Sequence, residues 1–151
     1  MADGPVIQRA SERALKHGFG LDDVLAVVER ARKRIATPII LFSYFNPLLQ
    51  FGVKRLAQRA AESGIDGVLV TDLTPEEADE LSTELRAHGL DMIFLVAPTS
   101  TDARLELIAK RASGFIYAVS RAGVTGTRDS VSSEAQKLVD RVRRFSDLPI
   151  A

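Results

Sequence analysis

Four short runs of branched and aromatic residues recur along the chain at nearly constant intervals, and they constrain the fold more than any other feature. Each run is almost continuously apolar, which is typical of strands in a parallel sheet that is covered on both faces. The segments between the runs have helical spacing, so we predict an α/β protein in which a helix follows each strand. The runs are Ile39 to Tyr44, Val68 to Thr71, Met92 to Ala97 and Phe115 to Val119.

Residues typical of helix ends support this interpretation. Thr74 can cap a helix that has Pro75 at its first position, and Glu77 completes a capping box. Gly64 and Gly89 follow apolar helical patterns and act as stop signals. The helices predicted between and after the strands are Val53 to Ser63, about Pro75 to His88, Asp102 to Ala112 and about Glu134 to Phe145.

The two ends of the chain depart from this repeat. Two helical segments, about Pro5 to Lys16 and Asp22 to Arg34, precede the first strand, and Leu148 to Ala151 has the character of a fifth strand that is just beginning. Because domain boundaries usually fall in exposed linkers, we expect a chain cut from a longer protein. No linker divides residues 1–151, so we expect a single domain. The pattern alone fits both a barrel segment and an open doubly wound sheet.

Composition excludes several classes of function. Twenty basic residues balance twenty acidic ones, so the chain has no excess positive charge with which to bind nucleic acid or an anionic membrane. It contains no cysteine, which excludes disulfides, thiolate metal ligands and cysteine nucleophiles and is compatible with a cytoplasmic protein. The two histidines, His17 and His88, are far apart in sequence, so we expect no metal site.

Three motifs lie at strand ends or in the loops that follow them: Ala2 to Gln8, Val68 to Leu73, and Tyr117 through Gly126. Together they resemble the tryptophan synthase alpha chain family, and the string Ser-Arg-Ala-Gly-Val-Thr-Gly at residues 120–126 is the most specific of them. The resemblance covers nearly the whole chain, from the loop after the family's second strand to the start of its seventh. It implies a TIM (βα)8 barrel of which this chain holds four consecutive parallel βα units.

The resemblance also implies an activity. In that family the barrel cleaves indole-3-glycerol phosphate to indole and glyceraldehyde 3-phosphate, and indole passes to a β subunit that carries pyridoxal phosphate. The alpha chain itself therefore needs no cofactor. Two carboxylates with different roles suit this chemistry. One is Asp3, which would accept a hydrogen bond from the indole N–H, and the other is a glutamate that would lie upstream of Met1.

Further site residues are implied by the same resemblance. The indole pocket would be lined by side chains of three strands, bordered by two tyrosines, and closed by a mobile loop that braces the catalytic aspartate. The implied residues are Phe42, Leu69 and Leu95 for the lining, Tyr44 and Tyr117 for the border, Asp72 at the strand mouth, Thr125 and Gly126 for the loop, and Asn46 for the contact with the β subunit.

Each of these residues also has a simpler interpretation. Asp3 before a Gly-Pro pair can be a helix cap, and Asp72 can be a polar residue at a strand exit. Gly126 can belong to an ordinary flexible loop. Tyr44 and Tyr117 can be strand aromatics without a ligand.

Two functions follow for these 151 residues. As part of an indole-3-glycerol-phosphate lyase, they would bind indole-like rings weakly and would be inactive alone, because the glutamate and the phosphate-binding loops are missing. Alternatively, they are a non-catalytic folding or assembly module, such as an engineered half barrel. We expect the outer strands, Ile39 to Tyr44 and Phe115 to Val119, to pair in a symmetric dimer that closes an eight-stranded barrel. The competing outcome is a monomer in which the amino-terminal helices cover an open sheet.

Overall fold

The computed structural model describes residues 4–119 and 128–151, and for residues 128–133 it describes the backbone alone. Strands and helices alternate as the sequence predicts. The strands are β1 (Ile40–Ser43), β2 (Gly67–Val70), β3 (Asp91–Val96) and β4 (Ile116–Ala118). The helices are α1 (Pro5–Lys16), α2 (Leu21–Arg32), α3 (Phe45–Phe51), α4 (Val53–Ser63), α5 (Asp79–Ala87), α6 (Asp102–Arg111) and α7 (Arg128–Val142).

The four strands form one parallel sheet in the order β1-β2-β3-β4, so each strand pairs with its neighbour in sequence. Beyond β4, Ile150 forms a parallel bridge with Ile116, whose N–H donates to the Pro149 carbonyl at 2.8 Å. The predicted beginning of a fifth strand therefore lies beside β4. This finding corrects one expectation, because β4 is already bonded on both sides and is not an edge.

The hydrophobic core lies between one face of the sheet and the helices. Alternate strand residues enter it, as expected for a pleated strand whose side chains point to opposite faces in turn. Helices α2 to α6 each contribute leucine to the same cluster. Fully buried members from the helices include Leu25, Leu48, Leu56, Leu85 and Leu105, and members from the strands include Leu41, Val68, Met92, Phe94 and Ile116.

Helix α1 has the bounds that the sequence predicts, yet it contains no buried residue. Val6 and Leu15 are about two-thirds exposed, at 69% and 70%. The helix thus forms without contributing to the core, whereas α2 buries Leu25 and Val28. Among the described helices, none is both long enough and apolar enough to cross a bilayer.

The helix predicted over Pro75 to His88 is divided in two. Pro75–Glu77 form a 3-10 turn, and α5 begins only at Asp79. The predicted capping box is wrong in its geometry, because the Thr74 hydroxyl bonds to the Glu77 carboxylate at 2.8 Å instead of to a backbone N–H. At the break, the Arg111 guanidinium donates to the Pro75 carbonyl and pairs with Asp79 at 3.0 Å, so it contacts both pieces.

Candidate functional site at the carboxyl end of the sheet

The sheet has a second apolar face, opposite the helices. Partners across a parallel ladder share a face, and Leu41, Val68 and Met92 are partners that belong to the helical core. The adjacent row, Phe42, Leu69 and Ile93, therefore points away from the helices.

An aromatic pair covers the middle of this inner face. Phe42 on β1 and Tyr117 on β4 meet with ring centroids 6.3 Å apart and planes at 75°, an edge-to-face contact. Three strand spacings separate β1 from β4, roughly 14 Å in a flat sheet, so the two rings reach towards each other across the middle strands. Phe42 remains 59% exposed and Tyr117 37%, while Leu69 and Ile93 between them are almost completely buried.

Four of the predicted pocket residues thus share this face. Leu95 is the ladder partner of Tyr117, and Phe42 is the partner of Leu69. Ile93 completes the surface, although it was absent from the predicted set. The sequence signal was available, because Ile93 lies two positions before Leu95 on the same strand and must share its face.

A cleft of about 770 Å³ opens where β1 and β2 end. It brings together three of the predicted residues, Phe42, Tyr44 and Asp72. Helix α1 forms one wall with Ile7 and Ser11, which were not predicted, although Ile7 belongs to the first of the sequence motifs. The other lining residues are Ser43 and Thr71. Leu69, Leu95 and Tyr117 lie outside this cleft.

The carboxylate of Asp72 has a backbone partner. Its Oδ1 accepts a hydrogen bond from the Phe45 N–H at 2.7 Å, at the start of α3. Asp72 thus borders the cleft and is a hydrogen-bonding polar residue just after the end of β2, while its role towards a substrate stays a prediction. Asn46 lies one residue further along α3, is exposed, and lines a neighbouring concavity of about 360 Å³ with Asp72.

Three predicted residues lie outside the described residues. They are Asp3, the predicted catalytic residue, and Thr125 and Gly126 of the predicted closing loop. Their roles stay predictions.

Arginines pair with two acidic side chains that follow β2 and β3 in the chain, Glu76 in the 3-10 turn and Asp102 at the start of α6. The pKa of Glu76 is lowered, first by a hydrogen bond from its own backbone N–H and further by the nearby Arg104. The pKa of Asp102 is lowered mainly by a hydrogen bond from Arg141. Both carboxylates are therefore held in the ionised form. Within the described ranges, no three histidine or acidic side chains converge as a metal site would require.

Comparison with known proteins gives one consistent family. A family model described as tryptophan synthase alpha chain matches residues 1–151. The tryptophan synthase alpha chain of Solibacter usitatus is 50% identical over 151 residues, which are 100% of this chain and 57% of that protein. The alpha chain of Carboxydothermus hydrogenoformans is 48% identical over 150 residues, 99% of this chain and 56% of that protein. The chain thus spans slightly more than half the length of these relatives.

Solved structures point to the same family. The alpha subunit of tryptophan synthase from Legionella pneumophila superposes with a TM-score of 0.88 at 40% identity, covering 99% of this chain and 55% of that one. A chain from the tryptophan synthase α2β2 complex of Pyrococcus furiosus gives 0.88 at 38% identity, covering 99% and 60%. These neighbours confirm the partial TIM barrel over the open doubly wound sheet.

Proposed function

The chain belongs to the tryptophan synthase alpha chain family, and we propose that it supplies part of the active site of a carbon–carbon lyase of tryptophan biosynthesis. The reaction is the cleavage of indole-3-glycerol phosphate to indole and glyceraldehyde 3-phosphate. The observation that carries the proposal is the inner face at the carboxyl ends of the strands, where Phe42 and Tyr117 meet over buried Leu69. In barrels of this kind the carboxyl ends carry the chemistry.

The apolar residues suit the indole ring. Phe42 and Tyr117 offer aromatic edges and faces, and half-buried Leu95 adds apolar surface beside Tyr117, which favours a flat bicyclic ligand over a polar one. Leu69, which is 1% exposed, would belong to the apolar wall behind the rings. Tyr44 borders the cleft on the side of β1. The reacting glycerol carbon would then project towards the open carboxyl end, where the polar residues lie.

Breaking the carbon–carbon bond needs two proton-handling groups. The indole carbon that leaves must gain a proton, and a base must take the proton of the substrate hydroxyl. In our proposal Asp3 accepts the indole N–H and stabilises the positive charge that develops on the ring. Thr125 and Gly126 belong to a loop that closes over the substrate and excludes water. The second carboxylate is a glutamate in a part of the family's barrel that this sequence does not cover.

A polypeptide of these 151 residues would therefore bind the indole ring without turning substrate over. A missing general acid–base group typically costs about 10² to 10⁴ in rate. The loops that hold the phosphate in the family also lie outside this sequence. Release of indole by the purified polypeptide, at a rate within about tenfold of a full-length family member, would contradict this part of the proposal.

Binding can be tested directly because the chain contains no tryptophan. An indole ligand is then the dominant fluorophore when excitation is placed at the red edge of indole absorption. We expect weak binding of indole and indole propanol, and loss of that binding in Phe42→Ala. Phe19→Ala is the matched control, since Phe19 is also an exposed aromatic, at 44%, but lies outside the cleft and the inner face. Equal affinity in both variants would favour the non-catalytic module instead.

The partner we propose is the β subunit, which carries the pyridoxal phosphate. Asn46 lies exposed at the start of α3, beside a concavity lined by Phe45, Leu49 and Glu77. A relative from Pyrococcus furiosus comes from an α2β2 complex. We also propose a cytoplasmic location for the whole protein, because the family is one of biosynthetic enzymes and the sequence contains no cysteine.

For the isolated polypeptide we also propose a homodimer. Among the described residues β1 pairs on one side only, with β2, and the inner face beside it is open. Because residues 149–151 bond to β4, the edge opposite β1 is this short segment, and it would pair with β1 of the second copy. Sedimentation equilibrium decides the question. A mass that stays at 16.5 kDa when the sample is concentrated would favour the monomer with an open sheet.

A further inference from the structure

The hydrogen bond between Asp72 and Phe45 continues the register of the sheet. In the β1–β2 ladder each residue pairs with the one 27 positions later, from Ile40 with Gly67 to Ser43 with Val70. Phe45 and Asp72 have the same separation of 27. Both strands have ended by then, and the acceptor is the side-chain carboxylate of Asp72 instead of a backbone carbonyl.

This bond gives helix α3 an amino-terminal cap. The residue before the helix is Tyr44, and the helix has no side-chain cap of its own at that position. The first N–H groups of a helix have no partner within it. Asp72 therefore caps α3 from the neighbouring strand, with a negative charge at the helix end that favours one.

Asp72 borders several concave surfaces, two of which concern its neighbours in sequence. On one side it lines the 770 Å³ cleft together with Phe42 and Tyr44. On the other side it lines the 360 Å³ concavity together with Asn46. Tyr44 and Asn46 are the residues immediately before and after Phe45, so a bond to the Phe45 N–H restrains both.

We propose that Asp72 is a positioning residue, which fixes Tyr44 at the cleft and Asn46 at the outer rim through its bond to the Phe45 N–H. The part that concerns the indole pocket rests on the proposed function. Asp72 transfers no proton in this role. Its contribution is to hold the turn between β1 and α3 in one conformation.

Two variants of the 151-residue chain test the proposal by NMR. Asp72→Ala removes the acceptor, so amide hydrogen exchange at Phe45 should accelerate about fivefold, as expected for the loss of a helix cap. The amide signal of Asn46 and the ring signals of Tyr44 should shift in the same variant. Asp72→Asn keeps an acceptor oxygen and should restore most of the protection and of the original shifts. In the indole titration, Asp72→Ala should weaken binding several-fold and Asp72→Asn much less.

Glu77→Gln is the matched control, because Glu77 lines the same rim concavity but bonds to the Thr74 side chain. It should leave Phe45 exchange unchanged. Unaltered Phe45 exchange in Asp72→Ala would overturn the proposal, and so would an Asp72→Asn protein that behaves like Asp72→Ala. Weaker indole binding without a change at Phe45 would also overturn it, since Asp72 would then contact the ligand itself. If the unmodified chain binds no indole while Phe45 exchange responds as expected, the indole pocket is refuted and the positioning role stands.

Discussion

The β1–β2 pair is bracketed by an aspartate at each end, and the two aspartates have different surroundings. At the amino end, Asp66 accepts the Ile39 N–H at 2.7 Å and forms an ion pair with Arg32. At the carboxyl end, Asp72 accepts the Phe45 N–H at 2.7 Å, and no described arginine or lysine pairs with it. The separation in sequence is 27 residues in both bonds.

Arg32 makes the amino end a closed network. Besides Asp66, it donates to the Gly64 and Thr37 carbonyls, the latter at 2.7 Å, and so joins α2, α4 and the start of β1. The carboxyl end has a cleft in the corresponding place. The same local contact, an aspartate that accepts a backbone N–H, thus stabilises the sheet at one end and leaves polar atoms exposed at the other. This division matches the general separation of stability and activity in such barrels.

The largest effect should come from closing the space that Arg32 occupies. Gly64 has φ +86°, and a Cβ there would approach Arg32 Cγ to 2.7 Å, so Gly64→Ala should lower the free energy of unfolding by about 3 kcal/mol. Gly89→Ala is the matched control, since Gly89 has φ +71° with open space around it and should lose only about 1 kcal/mol. Urea unfolding measures both. Equal losses would mean that the Arg32 side chain can move away from the added Cβ at no cost in stability.

Removing Arg32 itself should have the next largest effect. Arg32→Ala leaves Asp66 and two carbonyls without this donor, and we expect a loss of about 2 kcal/mol in the free energy of unfolding. Arg30→Ala, on the exposed side of the same helix, should change it by less than about 0.5 kcal/mol. If the two variants unfold at the same urea concentration, the contacts of Arg32 add no more stability than those of an exposed arginine.

At the carboxyl end we expect binding to change more than stability. Phe42 is 59% exposed and contacts Tyr117 edge to face, so Phe42→Ala should cost only about 1 kcal/mol in the free energy of unfolding. Leu56→Ala, in the fully buried core of α4, should cost about 3 kcal/mol. Thermal or urea unfolding of both variants distinguishes the two sites. A loss in Phe42→Ala as large as that in Leu56→Ala would show that the inner face is a structural core.

The smallest effect should be a pH-dependent change in Tm when an exposed ion pair outside the β1–β2 pair is removed. Arg141 donates to Asp102 and lowers the pKa of this carboxyl group, so its contribution to stability is present above the ordinary pKa of an aspartate. The contribution is lost as the pH falls through the lowered pKa of the folded state. Asp102→Asn should therefore lower the Tm slightly at neutral pH and not at acidic pH. The control is Asp147→Asn, at another exposed aspartate, which should leave the Tm unchanged at neutral pH.

The regular elements could be predicted because their signals are local. Continuous apolar runs identified all four strands to within two residues, and the glycine stops at Gly64 and Gly89 were correct. Helix α3 was missed for a physical reason. It has seven residues, Pro47 in its first turn and no local cap, and the carboxylate that caps it lies 27 residues away. No window of local sequence contains that partner.

The candidate site was predictable where it depends on strand alternation. Phe42, Leu69, Leu95 and Tyr117 share a face because their register places them there. The wall that α1 contributes, through Ile7 and Ser11, was not predicted, because a helix without buried residues gives no packing signal that fixes its position. Resemblance to the family supplied the roles of these residues, which their spacing alone could not.

The order of the strands has a consequence for synthesis of the chain. Each of β2, β3 and β4 pairs with the strand before it. The paired residues are separated by helices alone, α3 and α4 between Ile40 and Gly67 and α6 between Phe94 and Ile116. On the ribosome, a strand that has just emerged therefore finds its partner already available. The nascent sheet can therefore extend by one strand at a time, without waiting for a distant part of the chain. Besides the free edge of β1, the edge exposed at each stage is the one that the next strand will cover, so a pause in translation would prolong the exposure of that edge to other nascent chains.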